Sequence, residues 1–160
     1  MMKLLYYVTF VSSLGVGLLA GVFFTFSAFV MQSLTKLPSG EGISAMQSIN
    51  TTILQSSFMW VFMGSTALSV FLGITSFFNL GNTSALYVIV GSLIFFVGVF
   101  LVTAIFNVPL NDTLAAATPG SSEGAQAWKK FLDSWVPWNH VRTIASIGAL
   151  ISYITAIRKW

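Results

Sequence analysis

The chain has 160 residues, of which 56% are hydrophobic and only 7% charged, with a formal net charge of +3. A soluble domain of this length cannot hide that much apolar surface, so the composition reads as a single integral membrane domain. The chain has no cysteine, which excludes disulfides, thiolate nucleophiles, iron–sulfur clusters and cysteine zinc sites, and its few cations lie scattered over termini and loops, with no basic run to bind nucleic acid.

A transmembrane helix needs about 20 apolar residues, and hydropathy marks four such stretches. The first, 4–31, carries no charge. It is longer than the hydrophobic region of a signal peptide, and Phe29-Val30-Met31 continues past the small pair Ser27-Ala28, so it reads as a retained helix. Within it, Gly17-x-x-x-Gly21 has the spacing of a close-packing motif. A loop with Pro38, Gly40 and Gly42 follows, and its second half, 43–51, has the character of an outward extension of the second helix. The second span covers 52–78. A tight uncharged turn, Asn79 to Ser84, leads to the third, 85–108.

The third loop is the longest, 109–136, with turn chemistry at Thr118-Pro119-Gly120-Ser121-Ser122. Residues 123–135 then predict a short helix, capped by Ser122 and opened by Glu123 at the positive end of its dipole. Trp128, Phe131, Leu132 and Trp135 share one face of it, with Lys129 and Asp133 on another, the pattern of a surface helix or a lid. The fourth span is 137–157. Open strands cannot cross lipid, so the expected fold is all-α: one domain, 1–160, forming a four-helix membrane bundle with a short amphipathic surface helix in its third loop. Both termini then share one side. Lys3, Arg158 and Lys159 flanking the outer spans favour the cytoplasmic side.

Chemistry concentrates at two places. On the fourth span Asn139, Arg142, Ser146, Ala149 and Tyr153 follow 3-4-3-4 spacing and form one stripe, which should face the bundle interior because lipid offers polar groups no partners. The chain's one histidine, His140, sits about 100° away from Asn139 around the helix. At the end of the third span, Asn107 lies inside the apolar run. Pro109, Asn111 and Asp112 follow, a combination that either stops the helix or frees a backbone carbonyl. Gln47 and Asn50, three apart, share a face at the start of the second helix. The plain alternative for all of these is a polar helix boundary at the membrane interface, with arginine reaching for phosphates. The four acids, Glu41, Asp112, Glu123 and Asp133, lie in loops. With one histidine they cannot build a di-iron site or a bis-histidine haem within one chain, and none forms a mid-membrane proton relay.

In chain order the landmarks are Phe23-Phe24-x-Phe26-Ser27-x-Phe29-Val30-Met31, Ala45-Met46-Gln47-x-Ile49-Asn50, Phe106-Asn107-Val108-Pro109-Leu110-Asn111 and Trp138-Asn139-His140-Val141-Arg142-Thr143. On four spans this pattern resembles the anthrone oxygenase-like (DUF1772) family of small membrane proteins, over nearly the whole chain. The resemblance implies an oxidoreductase that converts anthrones to anthraquinones with dioxygen and without a cofactor. Under it, His140 is the candidate base, since histidine ordinarily titrates near neutrality. Arg142, with Asn139 or Asn107, is the candidate oxyanion stabiliser. Trp128, Trp135 and Trp138 would roof an aromatic slot, and Asn50, Gln47, Asn107 and Asn111 would bind substrate.

The partner expected is a small hydrophobic aromatic molecule or a lipid, with no metal, and self-association or membership of a larger membrane complex stays open. The alternative reading is a non-catalytic accessory subunit that binds a lipid or quinone headgroup. A metal shared by His140 residues of several subunits is a third. A cavity on which the polar residues converge would favour catalysis or ligand binding. Mutually satisfied residues with no void would favour a structural role.

Overall fold

The computed structural model describes residues 2–160. Five helices follow one another with short connections: α1 (Lys3–Leu34), α2 (Ser39–Leu54), α3 (Ser57–Phe77), α4 (Thr83–Ala115) and α5 (Ser122–Arg158). All but α2 are long and apolar enough to cross a membrane, so the protein is a multi-pass membrane helical bundle. Its surface has the inverted character that lipid demands. Leu18, Ile74, Ile144 and Ile151 face outward, while Thr9, Ser12, Ser69, Ser92 and Ser146 are buried between helices. Lipid tails are as apolar as leucine, so small residues and interhelical hydrogen bonds hold such a bundle together. The hydroxyl of Tyr153 is bonded to Ser69 Oγ at 3.0 Å and Ser92 Oγ at 3.1 Å, which ties α5 to α3 and α4.

Close backbone approach occurs where glycine permits it, though not at the motif the sequence suggests. A Cβ on Gly98 would come within 2.5 Å of the Ala145 methyl, so α4 and α5 touch there. Gly21 has nothing within 4 Å of its Cβ position, and Gly17 meets only Leu150 at ordinary distance, so Gly17-x-x-x-Gly21 is not a close-packing seam in this chain.

Three boundaries differ from the sequence expectation, and each difference shapes the site. First, residues 123–135 are helical but not a separate surface helix: they are the outward extension of α5, which runs unbroken through Pro137. The reason is phase. Trp128, Phe131, Trp135, Asn139, Arg142, Ser146, Ala149 and Tyr153 are all buried and form one uninterrupted stripe, so the amphipathic segment and the span bury the same face. Pro137 sits on the exposed side of the helix, away from that face. Second, the second span is divided. Ser56 adopts an extended conformation and caps α3 by accepting from the Phe58 N–H, which leaves α2 as a separate helix against the end of the bundle. Third, α4 does not stop at Pro109 but continues to Ala115. It passes the proline through a wide π turn, in which the Val108 N–H reaches the Thr103 carbonyl five residues back.

Two further π turns are Phe26–Val30 in α1 and Phe96–Leu101 in α4. Wide turns of this kind are uncommon, and they concentrate where a helix re-aims side chains at a site.

Candidate functional site

The three π turns, the α2–α3 break and the middle of α5 all border one cavity of about 220 Å³ at the end of the bundle away from the chain termini. Phe23, Phe26, Phe58, Phe62, Phe100 and Trp135 supply aromatic wall. Asn50, Asn111, Asn139 and Arg142 supply its polar groups. Leu54 and Val108, both substantially exposed, form part of the rim, so the cavity opens through an apolar edge beside the α2–α3 break.

Arg142 dominates the electrostatics. It is 6% exposed, and no carboxylate pairs with it. Among the described residues the one ion pair is Lys129–Asp133, exposed and four apart on the outer part of α5. Asp112, Glu41 and Glu123 are exposed as well. Neutral groups hold the guanidinium instead. Nη2 donates to Asn139 Oδ1 at 2.8 Å and Nη1 to Thr103 Oγ1 at 3.3 Å. Its carbon lies 4.5 Å from the Phe23 ring centroid and 5.1 Å from that of Trp135. Among the described residues Nε has no partner. Removing a cation from water costs several kcal/mol even after relaxation. Desolvated cation–π contacts return about 2 kcal/mol each, and hydrogen bonds to charged groups about 1.5–3 kcal/mol. The arrangement therefore tolerates the charge without neutralising it, and leaves a donor for an anion.

Asn139 is the bolt behind the arginine. Its Nδ2 donates to the Phe23 carbonyl and to Ser27 Oγ, both at 2.8 Å, which joins α5 to α1 next to the π turn. Its Oδ1 is thereby turned toward Arg142. Thr143 closes the ring by bonding the Asn139 carbonyl at 2.9 Å and lying 3.1 Å from Ser27 Oγ. Ser27 and Thr143 fall within the landmark strings of the resemblance, and Thr103 is a hydroxyl on an apolar helix, but none of the three is marked as a site residue by the sequence. Only their level beside Asn139 and Arg142 reveals them.

The remaining sequence candidates divide. Asn50 and Asn111 line the cavity, each with a buried amide atom that lacks a partner. Trp135 lines it with an unpartnered Nε1. Asn107 is buried one level outward and outside the cavity lining, donating to the Trp135 carbonyl at 3.4 Å. Gln47 is a clamp: its amide nitrogen, Nε2, donates to the carbonyls of Leu114 at 2.8 Å and Ala117 at 2.9 Å, fixing α2 to the end of α4. Trp128 and Trp138 do not reach the cavity. Trp128 stacks on Phe131 and packs over Gly42, where a Cβ would come within 3.0 Å of the indole. Trp138 stacks on Phe106 with centroids 3.7 Å apart.

His140 is the main correction. It is exposed on the outer face of α5 and does not border the cavity. One residue of helix turns it about 100° from Asn139, and the buried stripe passes through Asn139. Two positions from Arg142 in sequence is thus the far side of the helix in space.

The fold and site together define a multi-pass membrane helical protein with an aromatic cavity holding an unpaired buried arginine. Comparison with protein families makes this more particular. The family model for Anthrone oxygenase matches residues 57–152, more than half of the chain, and the chain belongs to that family. No curated protein and no solved structure matches it.

Proposed function

We propose that the chain binds a flat, weakly acidic aromatic ketone of the anthrone type, stabilises its anion with Arg142, and lets that anion reduce dioxygen. The observation that carries this reading is the buried arginine without a carboxylate, facing an aromatic cavity. A fixed cation in a low-dielectric site favours the ionised form of whatever acid lies against it. An anthrone has such an acid: the methylene between its rings, whose deprotonation places negative charge on the ketone oxygen. The guanidinium Nε and the Trp135 Nε1, both donors without partners, suit that oxyanion.

The electrons come from the substrate, so the reading requires no cofactor. The anion passes one electron to dioxygen, and the resulting radical and superoxide combine to form a carbon–oxygen bond. Protonation gives a hydroperoxide. Loss of the remaining hydrogen on that carbon breaks the oxygen–oxygen bond, forms the second carbonyl and expels hydroxide, which leaves as water. Anthrone and dioxygen thus become anthraquinone and water, with no net proton required. No histidine or carboxylate lines the cavity. The protein's role in this scheme is to make the substrate a stronger acid, with the proton leaving toward the rim, and His140 has no part in it. The apolar rim at Leu54 and Val108 suits a substrate dissolved in the bilayer.

The test is oxygen uptake by the protein in lipid vesicles given anthrone, with anthraquinone measured in parallel. Equal amounts of oxygen consumed and quinone formed, well above vesicles alone, are expected. Binding without any turnover would favour the alternative in which the same cavity holds a quinone or lipid headgroup for a larger complex.

A further inference from the structure

The opposite end of the bundle, where the chain termini lie, holds a second pocket of about 220 Å³ between the α3–α4 turn and Trp160. It shares no residue with the cavity around Arg142, and its chemistry is independent of the proposed reaction. A serine or threonine on a membrane helix commonly bonds a carbonyl one turn back on its own helix, as Thr66, Thr75 and Thr103 do in this chain. Ser76 does not. It lines the pocket, is 1% exposed, and its hydroxyl has no partner among the described residues. Trp160 Nε1, on another wall, is likewise buried and unpartnered. Both groups can donate. The positive end of α4 borders the same space, since Asn82 and Ala85 line it and Asn82 caps the helix by accepting from the Ser84 N–H at 3.0 Å. Two idle donors beside a helix N-terminus call for an acceptor, and the surrounding charge makes that acceptor an anion. Lys3, Arg158 and Lys159 lie at this end, whereas all four acidic side chains, Glu41, Asp112, Glu123 and Asp133, belong to the other. Trp160 also borders a neighbouring recess lined by Lys3, Tyr6 and Tyr7, and its ring lies 6.0 Å from that of Tyr6. Lys159 Nζ lies 6.0 Å from the Tyr87 ring centroid. Tyrosine and tryptophan among cations mark the headgroup level of a bilayer.

We propose that this pocket is a headgroup site for an anionic phospholipid. The phosphate accepts from the Ser76 hydroxyl and the Trp160 N–H, while Lys3 and Lys159 balance the charge. The acyl chains lie against Phe78 and Leu80, large apolar side chains exposed on the α3–α4 turn. A free phosphate offers the same oxygens but has no apolar part to cover that surface. A headgroup held here bridges the ends of α3, α4 and α5 at the membrane surface.

The test is native mass spectrometry of the full chain in mixed micelles, with dioleoyl phosphatidylglycerol and dioleoyl phosphatidylcholine as competing probes. Both carry a phosphate and the same acyl chains, but only the first has a net negative charge. Phosphatidylglycerol should be retained over phosphatidylcholine by about fivefold or more, the effect of a single lysine near an anionic headgroup. Ser76→Ala and Trp160→Phe each remove one donor and little bulk. Each should lower phosphatidylglycerol retention by about tenfold, as losing one hydrogen bond to a charged group does. Lys3→Gln combined with Lys159→Gln should bring the preference close to one, while Lys129→Gln with Lys130→Gln, at the other end, leaves it unchanged. Equal retention of the two lipids by the wild-type chain overturns the proposal and needs no variant to read. Unchanged retention in folded Ser76→Ala and Trp160→Phe also overturns it, since the lysines then gather lipid without a built site. Excess inorganic phosphate is the last arm: it should leave the lipid bound, and displacement would assign the pocket to free phosphate instead.

Discussion

At Arg142 two opposing terms meet. Burial of the unpaired charge costs several kcal/mol, whereas its loss leaves Asn139 Oδ1 without a donor, which costs about 1–3 kcal/mol. Arg142→Met keeps most of the packing on Phe23 and Trp135 and removes the charge. It is expected to leave the thermal midpoint unchanged or raised, and to lower anthrone-dependent oxygen uptake by about 10²–10³, the usual effect of deleting an oxyanion donor. A residue whose removal stabilises the fold while abolishing activity is a functional residue in the strict thermodynamic sense. Arg142→Lys should also fail, since an ammonium cannot bond Asn139 and Thr103 while offering a third donor sideways. His140→Gln should retain wild-type turnover, because the side chain lies outside the cavity. A rate loss of more than about tenfold in folded His140→Gln, set against that same oxyanion scale, would bring the histidine back into the mechanism. The sequence makes Arg142 and Asn139 legible because they fall on a polar stripe. The 100° turn per residue that puts Asn139 on the stripe puts His140 off it, and the base role that the resemblance implies for His140 does not take that turn into account.

At the level of helices, the site exists because several helices depart from regularity at one place. Pro109 lacks an N–H and its ring would strike the carbonyl of the preceding turn. α4 avoids the clash by widening through Thr103–Asn107, and the widening sets which way Asn107 and Asn111 point. From the sequence, proline with two asparagines reads equally well as a helix stop. What decides against a stop is the packing of the continued helix against α2, through the Gln47 clamp and the buried Leu114. Pro137 has the reverse history: it looks like a helix start, yet the buried stripe crosses it in phase. That phase could have been read in advance, since Trp128, Phe131 and Trp135 already carry the spacing of Asn139 and Arg142. Gln47→Ala removes both bonds to the end of α4. It should cost about 1–2 kcal/mol, the upper range for interhelical bonds in membranes, and weaken ligand binding through the displaced α2. Chemical denaturation in mixed micelles and anthrone binding followed by tryptophan fluorescence read the two effects separately.

For the molecule as a whole, composition alone sufficed for the class. Four long apolar runs, with Arg142 the one Lys, Arg, Asp or Glu inside them, have no other stable home than lipid. Four spans place both chain ends on one side and the α1–α2 and α4–α5 connections on the other. Cysteines introduced at Lys36 and Pro119 should therefore label alike with an impermeant reagent, and differently from one at Lys159. Opposite labelling of Lys36 and Pro119 would break the topology and, with it, the convergence of α2, α4 and α5 on one cavity. The cavity itself is not legible in a sequence. It depends on where the α2–α3 break falls relative to the wide turns of α1 and α4, a relation among four helices that no local pattern encodes.

A buried cation against an aromatic ketone should make that ketone a stronger acid. Anthrone and its anion differ in visible absorption, so the ionisation can be followed directly. The most direct measurement is an anaerobic pH titration of anthrone bound to the wild-type chain and to Arg142→Met in nanodiscs. The wild-type complex should show the anion at pH values where free anthrone and the Arg142→Met complex remain neutral. Identical titration of bound anthrone in the two proteins would contradict it.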